Sequence, residues 1–252
     1  MLFSVRVGYP DSDEYRWENI LEQYKTAGNI ELAFYSPEYF IRNVKADDVT
    51  EPLRDIPLNV TSVHMAHAQI TDYPLFELVL DRTIGIAKKL NCKFVVVHPS
   101  KAELKQVENF INTVVDKILY KEKIFLCWET FESKKRVFSG ADGIARFCHG
   151  KHWHKMCYDF SHVHESQDEV IKQIGKYLEY IKIFHVSNRI AAENVQHLPM
   201  FYKGKGELDL DYMPILKCLK EMKYDGVLVL EYLSEFEEEM MRDIAFLKNK
   251  IG

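Results

Sequence analysis

Six apolar runs in this chain each finish on a residue that binds metals or carries protons. They are Thr61-Ser62-Val63-His64, Val95-Val96-Val97-His98, Phe125-Leu126-Cys127-Trp128-Glu129, Met156-Cys157-Tyr158-Asp159, Ile181-Lys182-Ile183-Phe184-His185 and Leu228-Val229-Leu230-Glu231. A short apolar run of this kind reads as a buried parallel strand. One polar residue at a strand end is only the first solvated position. Six of them, all at C-terminal ends, call for an arrangement in which those ends meet. Parallel strands whose ends converge form a (β/α)8 barrel, an α/β fold with its active site at that face. The 252 residues match the roughly 250 typical of one such barrel, so a single domain over residues 1–252 is expected.

The rest of the chain reads as the other half of each βα unit. Leu2 to Val7 is the first strand, and Trp17, Ile20, Leu21 and Tyr24 follow at helical spacing. Ile30 to Phe34 is the second strand, followed by an irregular stretch from Tyr35 to Pro57. Helices are expected over 75–90, 104–120, 141–148 and 212–222. Further helical stripes run through Val170, Ile174, Tyr177 and Leu178, and through Phe236, Met240, Ile244 and Leu247. The run Glu235–Glu239 reads as the acidic first turn of the last helix, where negative charge complements the helix dipole.

A net charge of -5 argues against a broad electrostatic footprint for nucleic acid, while a local basic groove stays open. The five cysteines form no C-x-x-C pair, which fits a reduced, cytoplasmic compartment. No run approaches the roughly 20 apolar residues of a membrane span. The oligomeric state stays open, a homo-oligomer included.

Glu129, Asp159, His185 and Glu231 end strands five to eight. Three carboxylates converging without a cation would raise one another's pKa. A divalent ion removes the difficulty, and three oxygens with one imidazole suit Mn²⁺, Co²⁺, Mg²⁺ or Zn²⁺. His64 and His98, beside Glu129, are candidates for a second metal, with His67 an alternative to His64. His162, three residues after Asp159, is placed to bind metal or a substrate hydroxyl. His149, His152 and His154 precede strand six, at the opposite end of the barrel, and read as solvated loop histidines. Lys203-Gly204-Lys205-Gly206 reads as a phosphate loop or a plain tight turn, and Ser133-Lys134-Lys135-Arg136 as an anion site or a solvated basic loop.

These motifs resemble the xylose isomerase-like barrel superfamily, which includes sugar-phosphate isomerases and epimerases and the endonuclease IV group. The resemblance runs in order through Ser62-Val63-His64, Val97-His98-Pro99, Trp128-Glu129-Thr130, Asp159-Phe160-Ser161-His162 and Phe184-His185-Val186-Ser187. It continues through His197-Leu198-Pro199, Gly204 to Asp209 and Leu230-Glu231. It implies that Glu129, Asp159, His185 and Glu231 bind a metal, and that Glu129 and Glu231 form an acid–base pair. In the endonuclease branch, His64, His98, His162 and His197 join them to hold three zinc ions. That branch has an aspartate where this chain has Val195, so a third zinc would lack a ligand.

The leading expectation is a metal-dependent isomerase or epimerase of a small sugar or sugar phosphate, working through an enediolate. His162, Arg189, His197 and Lys205 are the residues expected to meet its substrate. The alternatives are a zinc phosphodiesterase acting at abasic DNA sites, and a non-catalytic barrel that retains a metal or sugar pocket.

Overall fold

Alternation along each strand divides the interior into two cores. The computed structural model describes residues 1–12, 14–131, 136–138 and 140–251. Its strands are β1 (Leu2–Gly8), β2 (Asn29–Ala33), β3 (Asn59–His64), β4 (Phe94–Val97), β5 (Phe125–Glu129), β6 (His154–Asp159), β7 (Ile181–Val186), β8 (Asn188–Ile190), β9 (Val195–Leu198) and β10 (Val227–Leu230). Eight of them close a barrel in the order β1-β10-β7-β6-β5-β4-β3-β2, and every neighbouring pair is parallel. This is the (β/α)8 barrel that the strand endings predict.

Val5, Leu32, Val63, Leu126, Trp128, Tyr158, Phe184 and Leu228 face outward and pack under the helices. Val96, Cys127, Cys157, Ile183 and Val229 face inward and form an apolar plug. Side chains alternate with a period of two, so the next inward position is two residues further on. Those positions are His98, Glu129, Asp159, His185 and Glu231. The barrel therefore changes from apolar to ionisable within one layer of side chains, at its C-terminal end.

The helices begin and end where local chemistry dictates. Asp72 caps Tyr73–Lys89 by accepting from the Leu75 amide at 3.2 Å, and Asp211 caps Tyr212–Glu221 through Met213 at 2.9 Å. Asn91, Lys123 and Lys223 take left-handed φ of 53°, 56° and 56°, turning the chain from a helix end toward β4, β5 and β10. Among the described residues, no helix is long and apolar enough to cross a membrane.

Three features depart from the sequence reading. The irregular stretch after β2 holds three short helices, Pro37–Asn43, Ala46–Thr50 and Pro52–Asp55. The helix starting at Leu104 loosens into a π turn over Ile111–Val115 and runs on to Glu122. The antiparallel hairpin β8–β9 follows β7, and its strands are too short to show a hydrophobic pattern. It is tied down instead by the Asn188 amide, which donates to the carbonyls of Met200 (3.2 Å) and Leu210 (2.8 Å).

His154 needs a correction. His149 and His152 are exposed, as expected, but His154 is buried at the start of β6. The Trp128 indole N–H donates to its Nδ1 at 2.9 Å, so Nε2 carries the proton and donates to Asp116 Oδ1 at 2.5 Å. Lys151 also binds Asp116, at 2.8 Å. Burial lowers the pKa of His154 from its ordinary 6.5, against the opposing pull of Asp116. The unfolded chain therefore takes up a proton that folded His154 refuses, and the contribution of this residue to stability fades as pH falls below about 6.5. His154→Ala is expected to cost about 1–3 kcal/mol near pH 8, because the buried Trp128 N–H loses its partner. Denaturant unfolding should show that deficit shrinking toward pH 5; a pH-independent deficit contradicts the assignment.

Candidate metal centre

The centre is best followed outward from Glu129, the last residue of β5, which is fully buried. Its Oε2 lies 3.0 Å from His64 Nε2, 3.1 Å from His98 Nε2 and 3.6 Å from His185 Nδ1. Its Oε1 lies 3.1 Å from His162 Nδ1, which is also 3.1 Å from Asp159 Oδ2. His185 Nδ1 in turn approaches Glu231 Oε2 at 2.7 Å. Strands β3 to β7 and β10 thus bring His64, His98, Glu129, Asp159, His185 and Glu231 to one end of the barrel, with His162 on the loop after β6.

Local hydrogen bonds aim several of these groups. The Ser161 amide donates to Asp159 Oδ1 at 2.6 Å, and the Asp159 amide donates to Thr130 Oγ1 at 2.8 Å. The second Asp159 oxygen is left facing the cluster. His197 sits on β9 with a left-handed φ of 57°. Its amide donates to Ser161 Oγ (3.1 Å) and its carbonyl accepts from Leu233 (3.0 Å), contacts that hold a conformation costly for a residue with a Cβ.

The electrostatics divide the cluster. Burial pushes the Glu129 carboxyl up, but His98, His162, His185 and His64 outweigh it and hold the pKa well below the usual range. Glu231 is likewise held well below, by Arg6 and His185 against burial. Asp159 is raised by burial and by Glu231, despite His162. Burial lowers His64 to about 4, with Arg6 adding to the effect, and lowers His67 to about 3. His162 rises to about 9, because Asp159 and Glu129 overcome its burial.

Two observations fit this donor set to a divalent ion. Glu129 Oε1, Asp159 Oδ2, His162 Nδ1, His185 Nδ1 and Glu231 Oε2 are buried without an aligned hydrogen-bond partner, although they lie within a few ångströms of one another. Of these, Glu129, Asp159 and His185 have ligand atoms within 4.8 Å of one another, and Glu231 Oε2 lies 2.7 Å from His185 Nδ1. The second is the tautomer of His64. Its Nδ1 lies 3.2 Å from the Met65 carbonyl and its Nε2 3.0 Å from Glu129, and both neighbours only accept. A neutral imidazole satisfies one of them and turns a lone pair on the other, unless a cation lies between. Among the described residues, three groups have ligand atoms within 4.8 Å of one another: Glu129, Asp159 and His185; His64, His67 and His98; and Asp159, His162 and His197. Carboxylate-rich and imidazole-rich sets of this kind suit ions such as Mn²⁺, Co²⁺ and Zn²⁺.

The remaining residues expected to meet substrate separate. His162 and His197 line the mouth, their rings 5.2 Å apart. Arg189 does not reach it. Its guanidinium is buried and committed to Asp209 (2.8 Å) and to the carbonyls of Phe160 (2.8 Å) and Glu165 (3.0 Å), so it fastens loops together. Lys205 is exposed on the loop after β9. Gly206 there has φ 94° and no room for a Cβ, which would lie 2.6 Å from Ile190 Cδ1, so a turn accounts for this glycine. Of the basic run after β5, only Arg136 is among the described residues; it binds the Pro99 carbonyl at 2.7 Å.

Two buried charges were not anticipated. Glu31 of β2 accepts from Ser62 Oγ at 2.6 Å, and its other oxygen lies 3.1 Å from His185 Nε2. Arg6 of β1 pairs with Glu231. Both interrupt apolar strand runs at inward-facing positions, a signal available in Ile30-Glu31-Leu32 and Val5-Arg6-Val7.

A closed parallel barrel with carboxylates and imidazoles gathered at its C-terminal mouth defines a TIM barrel with a candidate metal centre. The chain belongs to the xylose isomerase-like TIM barrel family, whose model matches residues 7–250. No curated protein matches it in sequence. Among solved structures it is similar to the apo form of 3-keto-D-glucoside 4-epimerase YcjR from E. coli, with TM-score 0.72, 14% identity and 99% of each chain covered. It is also similar to endonuclease IV from Thermus thermophilus, with TM-score 0.71 and 17% identity over 99% of this chain and 100% of that one. A third is the IOLI protein with a bound zinc atom, with TM-score 0.67 and 16% identity over 100% of this chain and 99% of that one. At these identities the likeness establishes the fold.

Asp159→Ala removes an oxygen from two of the three ligand groups. Elemental analysis of the purified variant is expected to show loss of at least one ion per chain relative to wild type. Unchanged metal content counts against Asp159 as a ligand.

Proposed function

We propose that this protein is a divalent-metal-dependent isomerase or epimerase acting on a small sugar or sugar phosphate. The observation that carries the reading is the placement of Glu129 and Glu231. They end β5 and β10, separated around the barrel by β6 and β7, and both reach His185 Nδ1, at 3.6 and 2.7 Å. Two carboxylates approaching one centre from different strands suit the removal of a proton from a carbon beside a carbonyl and its return to the same or a neighbouring carbon. Glu129, Asp159, His185 and Glu231 would hold the ion, which when bound polarises the carbonyl and acidifies the adjacent C–H. Glu129 and Glu231, both ionised at neutral pH, serve as bases. His162, 3.1 Å from both Glu129 and Asp159, stands at the mouth to donate a hydrogen bond to a substrate oxygen. His197 orients a hydroxyl at the mouth.

A second reading rests on a separate observation. His64 and His98 flank Oε2 of Glu129 and form one ligand group with His67, while Asp159, His162 and His197 form another. Proton transfer at carbon needs one ion, whereas phosphodiester hydrolysis uses two or more to activate water and stabilise the leaving oxygen. The resemblance to the endonuclease IV group implies DNA with an abasic site as the substrate for this reading.

The test is incubation with a panel of ketoses and ketose phosphates in deuterated water, followed by NMR. Deuterium is expected at the carbon beside the carbonyl, and Glu231→Gln is expected to lower exchange at least a hundredfold in protein shown to retain metal. Cleavage of abasic duplex DNA with no exchange into any sugar selects the hydrolytic reading. Neither activity selects a binding barrel.

A further inference from the structure

The interior of the barrel carries a cation of its own. β1 alternates outward Phe3, Val5 and Val7 with inward Ser4 and Arg6, so the Arg6 side chain rises inside the barrel and is 8% exposed. The register puts Arg6 beside Glu31 of β2 on one side. On the other, Val5 pairs with Leu230, which brings Arg6 beside Glu231. Nη1 pairs with Glu231 Oε1, and Nε is buried without a hydrogen-bond partner. The guanidinium is also packed against Tyr35, whose ring centroid lies 5.8 Å from its carbon. Glu231 is left with one oxygen, Oε2, directed at the cluster, where it lies 2.7 Å from His185 Nδ1 and lacks an aligned hydrogen bond. Glu129 differs, because imidazoles face both of its oxygens.

We propose that Arg6 is a built-in counter-cation that competes with the divalent ion for Glu231. It cancels one of the four buried charges of Glu31, Glu129, Asp159 and Glu231, and it confines Glu231 to one ligating oxygen. Two consequences follow. The barrel mouth stays assembled when no metal is bound, because the carboxylates keep a cation among them. The ion is held less tightly than the donor set alone would hold it, since a fixed positive charge a few ångströms away repels it even at an effective dielectric constant of about 20. Arg6 is thus a positioning residue for Glu231 and a determinant of metal affinity. The inference rests on the metal-centre reading of the same site.

The experiment measures divalent-ion affinity by titration against a chelating indicator, and thermal unfolding with and without a chelator, on the full-length chain. Arg6→Met replaces the cation with an apolar side chain of similar length. It is expected to bind the ion on the order of tenfold more tightly than wild type, from the removal of one nearby charge. Its Tm should also depend far more strongly on metal, with a larger gap between loaded and stripped protein than wild type shows. A variant that folds only with metal present is the extreme form of the same result. Arg6→Lys keeps the charge and should stay near wild type. Glu231→Gln, in which Arg6 is intact, should weaken binding less than Asp159→Asn does. Equal or weaker metal binding in Arg6→Met overturns the inference. Should that variant not fold under any condition, a loss in Glu231→Gln as large as in Asp159→Asn overturns it instead, and a smaller loss supports it. If wild type binds no divalent ion, the metal reading falls and takes this inference with it. Binding that is indifferent to Arg6 removes the inference alone.

Discussion

Everything at the mouth of this barrel depends on keeping four carboxylates buried together. Glu31, Glu129, Asp159 and Glu231 are each fully buried or nearly so, and burial alone would protonate them. The protein answers with positive or polarisable partners on every side. Arg6 faces Glu231, His185 lies between Glu31 and Glu231, and His64, His98 and His162 surround Glu129. The geometry leaves several lone pairs and carboxylate oxygens aimed inward without alignment. Donor atoms in that excess form a candidate site for a cation.

The barrel makes such a cluster tolerable by separating tasks along each strand. Outward residues bind the sheet to its helices, lower inward residues of β4 to β7 and β10 fill the plug, and the ionisable residues gather toward the C-terminal end of the inward face. Charge is thereby concentrated in one layer and supported by rigid strands, which suits a site needing sub-ångström placement. The loops add the adjustable part. His162 and His197 approach from loop and hairpin, at the partly exposed rim of the centre. The left-handed His197 is fixed by Ser161 and Leu233, so the substrate side of the centre is also preorganised.

The donors around Glu129 divide between its two oxygens. Oε1 looks toward His162 and, through it, Asp159, while Oε2 looks toward His64, His98 and, at 3.6 Å, His185. In the proposed isomerase reading Glu129, Asp159, His185 and Glu231 would hold one ion, and in the hydrolytic reading the histidines would hold further ones. Metal number, rather than backbone architecture, separates the two readings of this chain.

The sequence by itself determined the barrel and most of the rim. Apolar runs ending in His64, His98, Glu129, Asp159, His185 and Glu231 are local patterns, and parallel closure is the arrangement that makes their ends converge. What it could not decide are the partnerships between distant residues. Arg6 and Glu31 look like interruptions of strands until closure brings β1 beside both β2 and β10. His154 reads as a loop histidine until the register of β5 and β6 sets it beneath Trp128. Arg189, one of the substrate candidates, turns out to bind Asp209 and two loop carbonyls. Strand periodicity is written in neighbouring residues, whereas the partner of a buried charge is fixed by which strands the fold places side by side.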